Sequence, residues 1–366
     1  MAFFQLPIGD WLGVCWIEAC TLTRFEDHLR PENMGWYLYA ICVASTISVV
    51  LPMRNASNWL PALLAALVRE WHTGFELIAI DDGSHDGSAE LLQRLCAHWP
   101  QDRWQLLQSS SRGVSTARND GIAASRSELI AFLDADDRPL PGRLSLPLQV
   151  LTKRPELSHV QGGWWRCNAR GELLHNVNPW EETAGFSWRQ CMEQKSVLPS
   201  AWTIRRHALL AVGGFDQQLR HSEDVDLLLR LAAAGHKGDW IKKELVRYRI
   251  HSGNASGHLR PQLEGLLEVM NRHLKILPSS DGWAQEQRYS TTTWAVWQAW
   301  QAGDQEFALE LLQLALKECP YPLVRRPVHL IEVMARSSAR IGELFDRDQL
   351  LSNKFWQQAE PLLLSR

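Results

Sequence analysis

From Thr46 onward the chain alternates between two kinds of apolar pattern. Short, nearly unbroken apolar runs recur at residues 46–51, 75–80, 104–107 and 129–134. Between them lie stretches with apolar residues at three- and four-residue steps, such as Leu60, Leu63, Leu64, Leu67 and Val68. A continuous run suits a strand buried on both faces, and a 3.6-residue period suits a helix with one buried side. The pattern predicts helices near residues 59–71, 88–99 and 115–124, the second of them stopped by Pro100. Strands alternating with helices imply an α/β fold with a mostly parallel sheet and right-handed crossovers. Past Arg143 the pattern is less regular, with extended candidates at 160–165, 196–204 and 245–250 and a clear helix opening at Ser222. From Leu259 the chain reads as helical, with Trp294, Trp297, Leu309, Leu312 and Leu316 at helical steps and Gly303-Asp304 between two helices.

Three regions follow: residues 1–45 as an N-terminal extension, 46–258 as the α/β domain and 259–366 as a helical C-terminal region. Residues 1–33 do not carry the pattern of a signal peptide, and Met34 is an alternative start. Gly35 to Met53 has no charge and the length of a membrane span. Its β-branched second half, ending in Pro52-Met53-Arg54-Asn55, instead favours a strand leading into a loop. The pair of helices around Gly303 resembles one tetratricopeptide unit, whose apolar face needs a neighbour to cover it.

With 366 residues, 45% of them hydrophobic and 22% charged, the composition is that of a globular chain. A net charge of −3 gives no support for a nucleic-acid partner. The seven Cys are scattered without a C-x-x-C, which disfavours a disulfide framework or zinc site and points to a reducing, cytoplasmic setting. Eighteen Trp supply bulky packing or stacking surface.

Candidate chemistry gathers at predicted strand ends: Arg54 and Asn55, Asp81 and Asp82, then Asp134, Asp136 and Asp137. In a parallel sheet those ends share one edge, where ligands bind. If the extended conformation persists, Asp134 and Asp136 point to one side, and two such carboxylates repel unless a cation lies between them. Hard oxygen ligands with no Cys or His beside them favour Mg2+ or Mn2+, which bridge carboxylates to phosphates. A polar turn is the plainer reading of the same residues. The chain has no G-x-G-x-x-G after the first strand and no G-x-x-x-x-G-K-[ST], which disfavours a dinucleotide dehydrogenase and excludes a P-loop. Asp81 or Asp82 could accept a hydrogen bond from a base or ribose, or cap the next helix. Ser222 can cap the helix it opens, and Glu223 and Asp224 suit its positive end. His251 lies in a loop after a strand.

In order and spacing, Pro52-Met53-Arg54-Asn55, Ile80 to Ser84, Gly113 to Gly121, Phe132 to Asp137, Val212 to Asp216, Ser222 to Leu227 and Tyr248 to His251 resemble the glycosyltransferase family 2 catalytic domain. The resemblance covers about residues 46–256 and implies a GT-A fold. It implies inverting transfer of a sugar from a nucleotide-diphosphate donor, a UDP-sugar by default, to a saccharide or lipid-linked acceptor, with Mn2+ or Mg2+. By motif, Pro52, Arg54, Asn55, Asp81 and Asp82 look like donor-binding residues, Asp82 or Asp81 holding the base and ribose. Asp134 and Asp136 look like the D-x-D pair, Asp136 the direct metal ligand, with His251 a diphosphate or metal contact. Arg118 looks like a diphosphate contact or a structural partner of a carboxylate. Asp224, rather than Glu223, looks like the general base, expected to be ionised because a helix N-terminus lowers a carboxylate's pKa. Trp164, Trp165, Trp180 and Trp202 are available to stack on an acceptor sugar. The setting this implies is polysaccharide, glycolipid or surface-glycan synthesis in the cytoplasm. Peripheral attachment to the membrane face and a protein partner or self-association through the C-terminal helices are compatible with it. The rival readings are a nucleotidyltransferase on a related sheet and a non-catalytic scaffold.

Overall fold

The computed structural model describes residues 46–109, 113–251, 253–254, 258–278, 281–340 and 344–365. The N-terminal extension, the alternative start at Met34 and Cys15, Cys20 and Cys42 lie outside the described residues.

The strands and helices of the first half sit close to where the apolar pattern puts them: β1 Ile47–Met53, α1 Leu60–Val68, β2 Glu76–Asp81, α2 Ser88–Cys96, β3 Trp104–Gln108, α3 Val114–Ala124 and β4 Leu129–Phe132. Their continuous apolar runs have a direct cause. Ile47, Val49, Leu51 and Met53 enter one core with α1 and α2, while Val50 faces a second core with α3. Leu77 and Ala79 against Ile78 and Ile80, and Leu129 and Ala131 against Ile130 and Phe132, divide in the same way. Period-two alternation between two apolar faces leaves no polar position to mark the strand.

The second half adds β5 Arg138–Pro139, α4 Ser145–Lys153, β6 His159–Cys167, β7 Leu173–Val177, α5 Pro179–Glu182, α6 Trp188–Gln194, β8 Trp202–Arg205, α7 Arg206–Ala211, α8 Glu223–Ala233 and β9 Gly238–Arg249. Among the described residues all nine strands form one sheet, in the order β3-β2-β1-β4-β8-β6-β9-β5 with β7 on β6. The pairs β3–β2, β2–β1, β1–β4 and β6–β9 are parallel; β4–β8, β8–β6, β9–β5 and β6–β7 are antiparallel. Gly162 and Gly163 serve strand packing. A Cβ on Gly162 would come within 2.5 Å of Leu245, and one on Gly163 within 2.7 Å of the Val177 carbonyl.

The C-terminal helices are α9 Leu259–Leu274, α10 Gly282–Gln301, α11 Gln305–Lys317, α12 Arg326–Arg340, α13 Arg347–Ser352 and α14 Lys354–Leu364. The α10–α11 pair shares a third core with Leu263 and Leu267 of α9, Leu330 and Met334 of α12 and Phe355 and Trp356 of α14. Val269, Met270 and Leu274 of the same α9 are buried in the second core of the α/β domain. One helix thus belongs to both parts, and the apolar face of the pair is covered from within the chain. Among the described residues no helix is long and apolar enough to cross a membrane. Residues 47–53 of the uncharged 35–53 stretch are β1, and residues 35–45 lie outside the described residues.

Candidate functional site

The carboxyl ends of β1, β2 and β4 meet at one edge. Asp81 and Asp82 are both buried. Asp81 accepts from the backbone N–H of Ser84 at 3.1 Å and from its hydroxyl. Asp82 Oδ2 accepts from Gly113 N–H at 3.1 Å. Gly113 has a φ of +97°, a conformation that favours glycine, and this lets α3 start against the β2 loop. Asn55, with a left-handed φ of +52°, ties the same two loops: its N–H donates to Ser84 Oγ at 3.0 Å and its Oδ1 accepts from His85 N–H at 2.9 Å. Pro52 is buried within β1 and Arg54 is exposed beside the cleft.

The extended conformation does not persist through Asp134 to Asp137. A turn closes there, with Asp137 N–H donating to the Asp134 carbonyl at 3.1 Å. The two carboxylates expected side by side therefore take different partners. Asp134 pairs with Arg118 at 2.8 Å, and Asp136 Oδ2 lies 3.0 Å from His251 Nε2. Asn254 fixes this His: its Oδ1 accepts from His251 N–H at 2.7 Å, and its Nδ2 reaches Asp136 Oδ2 at 3.4 Å. Trp59 lies over the imidazole, with ring centroids 5.4 Å apart. Burial, then the charge of Asp134, raises the pKa of Asp136 against the opposing pull of His251. Burial and the same two neighbouring acids raise Asp137 further.

Arg118 is buried and spans the site. It reaches Asp134 on one side and Glu223 at 2.7 Å on the other, with its guanidinium 5.1 Å from the centroid of Phe215. Of the two roles weighed for it, the structural partner is the one the contacts describe. Its two carboxylates raise its pKa against the lowering effect of burial. Glu223 is thus held in an ion pair, and Asp224 beside it makes none among the described residues. Its Oδ1 accepts from Val225 N–H at 2.8 Å.

Two expectations are corrected here. Ser222 does not cap α8 with its side chain; its backbone is left-handed, with φ +59°, an uncommon state for serine at the point where Asp224 is presented. Asp224 is not held low by the helix end. Burial, reinforced by Glu223, outweighs Arg118 and the backbone N–H groups and pushes its pKa up to about 7. The tryptophans also divide. Trp202 is fully buried, donating from Nε1 to His159 Nδ1 at 3.0 Å, and Trp164 is buried. Trp165 and Trp180 are half-buried.

Sequence reasoning missed several supports. Arg143 is 1% exposed and donates to the carbonyls of Ser200, Phe132 and Trp202 at 2.6, 2.9 and 2.8 Å and to Thr203 Oγ1 at 2.9 Å. Ser200 Oγ in turn accepts from Asp134 N–H at 3.0 Å. Asn119 clasps Phe215 through both its N–H and its carbonyl, each at 2.8 Å. Nothing in the local pattern marks an arginine as buried, whereas Asn119 lies inside a quoted motif.

Among the described residues, no three His, Cys, Asp or Glu side chains gather as a ready cation cage. Asp136 and His251 offer one hard oxygen and one imidazole nitrogen. The carboxylate suits Mn2+ or Mg2+, which commonly take remaining ligands from phosphate oxygens and water, while the imidazole nitrogen is the softer donor and suits Mn2+ better than Mg2+. A cation would also relieve the crowding that raises Asp136.

Residues 48–200 match the model described as glycosyl transferase family 2. An uncharacterized glycosyltransferase of Rickettsia bellii is 29% identical over 213 residues, covering 57% of this chain and 29% of that protein. The pre-mycofactocin glycosyltransferase of Mycobacterium tuberculosis is 33% identical over 198 residues, covering 52% of this chain and 39% of that protein. The chain thus spans well under half the length of these curated relatives. Among solved structures, S. aureus TarS residues 1–349 in complex with UDP-GlcNAc superposes with a TM-score of 0.58 at 15% identity, covering 82% of this chain and 93% of that one. Motifs and fold agree: residues 48–200 match glycosyl transferase family 2, and the fold is that of the GT-A glycosyltransferases.

Proposed function

We propose that the chain is an inverting glycosyltransferase, moving a sugar from a nucleotide-diphosphate donor to a hydroxyl acceptor with Mn2+ or Mg2+ held at Asp136 and His251. The observation that carries this reading is the buried Arg118. It bridges the D-x-D residue Asp134 and the acid pair at the start of α8, so a donor site and a candidate base share one cleft. In this reading Asp81 and Asp82, buried at the β2 end, accept from the base and ribose of the donor. The glycosyl transferase family 2 match of residues 48–200 and the UDP-GlcNAc complex of TarS support a uridine diphosphate donor.

In this reading Asp224 takes the proton of the acceptor hydroxyl as that oxygen bonds to the anomeric carbon. The bond from that carbon to the diphosphate oxygen breaks on the opposite side. One base suffices for a single displacement; the paired carboxylates of a glycosidase are not needed. When bound, the cation neutralises charge on the leaving diphosphate. His251 and Asn254 keep the Asp136 carboxylate in place, and Arg118 fixes Asp134 and Glu223 so that Asp224 alone is free to accept a proton.

Calorimetric titration of uridine diphosphate into the protein, with and without Mn2+, tests the donor site. Metal-dependent binding that disappears in Asp136→Ala is expected. Binding of normal strength without metal would refute the assignment of the Asp134–Asp137 turn, and no binding of any nucleoside diphosphate would favour a scaffold.

A further inference from the structure

A cluster of cations lies beside the D-x-D turn, with Glu70 and the buried Asp137, which accepts from Arg249 N–H at 3.1 Å, as the acids nearest it among the described residues. Arg138 on β5 stands opposite Arg247 on β9 in an antiparallel ladder. Arg69 is drawn to the same edge because Glu70 accepts from the N–H groups of Gly142 at 2.6 Å and Ser145 at 3.0 Å, just past β5. Lys243 Nζ comes within 3.7 Å of where a Cβ on Gly142 would stand. Arg249 completes the group; it donates to the carbonyls of Asp136 and Ala169. Burial, then the charges of Arg247, Arg69 and Arg249, lowers the pKa of Arg138.

Like charges set directly opposite in a ladder are destabilising, and arginine does not relieve the strain by losing its proton. Arg247 Nε is moreover buried with no acceptor among the described residues, a cost that folding normally avoids. A bound anion would remove both penalties, and the planar guanidinium fork matches the oxygens of a phosphate. β5 is the last strand of the sheet and begins one residue after Asp137, so the cluster adjoins the donor turn without being part of it.

We propose that Arg138 and Arg247, with Arg69 and Lys243 at the rim, form a subsite for a phosphate group distinct from the donor diphosphate. Resting on the glycosyltransferase reading, that phosphate belongs to the acceptor or to the lipid surface that presents it.

The test uses the full chain in EDTA, which keeps metal from the D-x-D turn. Calorimetry with glucose 6-phosphate, against glucose as the neutral control, probes a soluble phosphate. Co-sedimentation with phosphatidylglycerol vesicles, against phosphatidylcholine, probes a lipid one. At least one phosphate probe should bind the wild type. That binding should weaken at least tenfold in the doubly substituted Arg138→Gln, Arg247→Gln protein and be unchanged in Asp136→Ala. The double variant should also melt no lower than wild type without ligand, since a repulsion has been removed, and this separates lost binding from misfolding. Glucose 6-phosphate binding assigns the phosphate to a soluble acceptor; binding to phosphatidylglycerol alone assigns it to a headgroup. The proposal fails if neither probe binds, if the double variant binds like wild type, if it melts lower, or if uridine diphosphate with Mn2+ displaces the probe in a parallel series. That series reads donor binding on its own, so failure of the donor reading is visible separately.

Discussion

A carboxylate that takes a proton near neutral pH works best when its own pKa lies close by. Asp224, pushed up to about 7 by burial and by Glu223, meets that condition better than an acid held low by a helix end would. Removing it as Asp224→Asn should lower kcat by about 10²–10⁴-fold, the usual worth of a positioned base, with uridine diphosphate binding unchanged by calorimetry. The wild-type rate should rise through about pH 7 as Asp224 loses its proton. Stability runs the other way. The folded state holds this proton more tightly than the unfolded chain, whose value is near 3.8, so the group favours folding at low pH. That contribution is lost as pH rises from the unfolded value through about 7. Asp224→Asn should therefore melt higher than wild type at pH 8, read by thermal denaturation. At this scale the motifs single out Asp134, Asp136, Asp224 and His251 as candidates, but not their pairing or protonation. Those depend on burial and on Arg118, which lies 105 positions from Glu223 in the chain.

The element that presents Asp224 is held by α9. His273 Nε2 lies 3.0 Å from Asp226 Oδ1, and Arg230 takes the other carboxylate oxygen at 2.7 Å. Gln262 meets His221 at 3.0 Å, and Arg272 pairs with Asp216 at 2.5 Å. The segment 216–226 is thus gripped at both ends, with left-handed Ser222 between. His273→Ala leaves the buried Asp226 with one partner fewer. It should cost about 1–3 kcal/mol of stability and lower kcat more than the donor KM, measured by denaturation and steady-state kinetics. A purely structural role would leave kcat per folded molecule unchanged. The first four strands were legible because each is buried on both faces. β9 was seen only from Leu245, because Lys242, Lys243 and the half-buried Glu244 interrupt its apolar run. The antiparallel pairings of β8, β5 and β7 are short, long-range and unmarked by any periodicity.

For the molecule as a whole, α9 decides how the C-terminal region relates to the sheet. Val269, Met270 and Leu274 are at most 1% exposed in the second core. A chain ending at residue 258 gives up their burial, at about 1.5–3 kcal/mol each, a sum comparable to the whole stability of an ordinary domain. It should be recovered unfolded or aggregated. A chain ending at residue 278 keeps these contacts and should show a cooperative melt by circular dichroism. The sequence suggested a boundary near 258 from the change of periodicity. Periodicity does not reveal that one helix serves two cores.

The bridge made by Arg118 has a consequence for the order of events. A single guanidinium shared between Asp134 and Glu223 makes charge at the Asp134–Asp137 turn and charge at the start of α8 two variables of one energy function. Whatever changes the demand of Asp134 for that cation changes what is left to steady Glu223, and through Glu223 the proton affinity of Asp224. Linkage of this kind is reciprocal: loading of one half of the cleft and deprotonation in the other each carry the same free energy of interaction. In the proposed mechanism, the nucleophile's proton acceptor would thereby register the arrival of the donor.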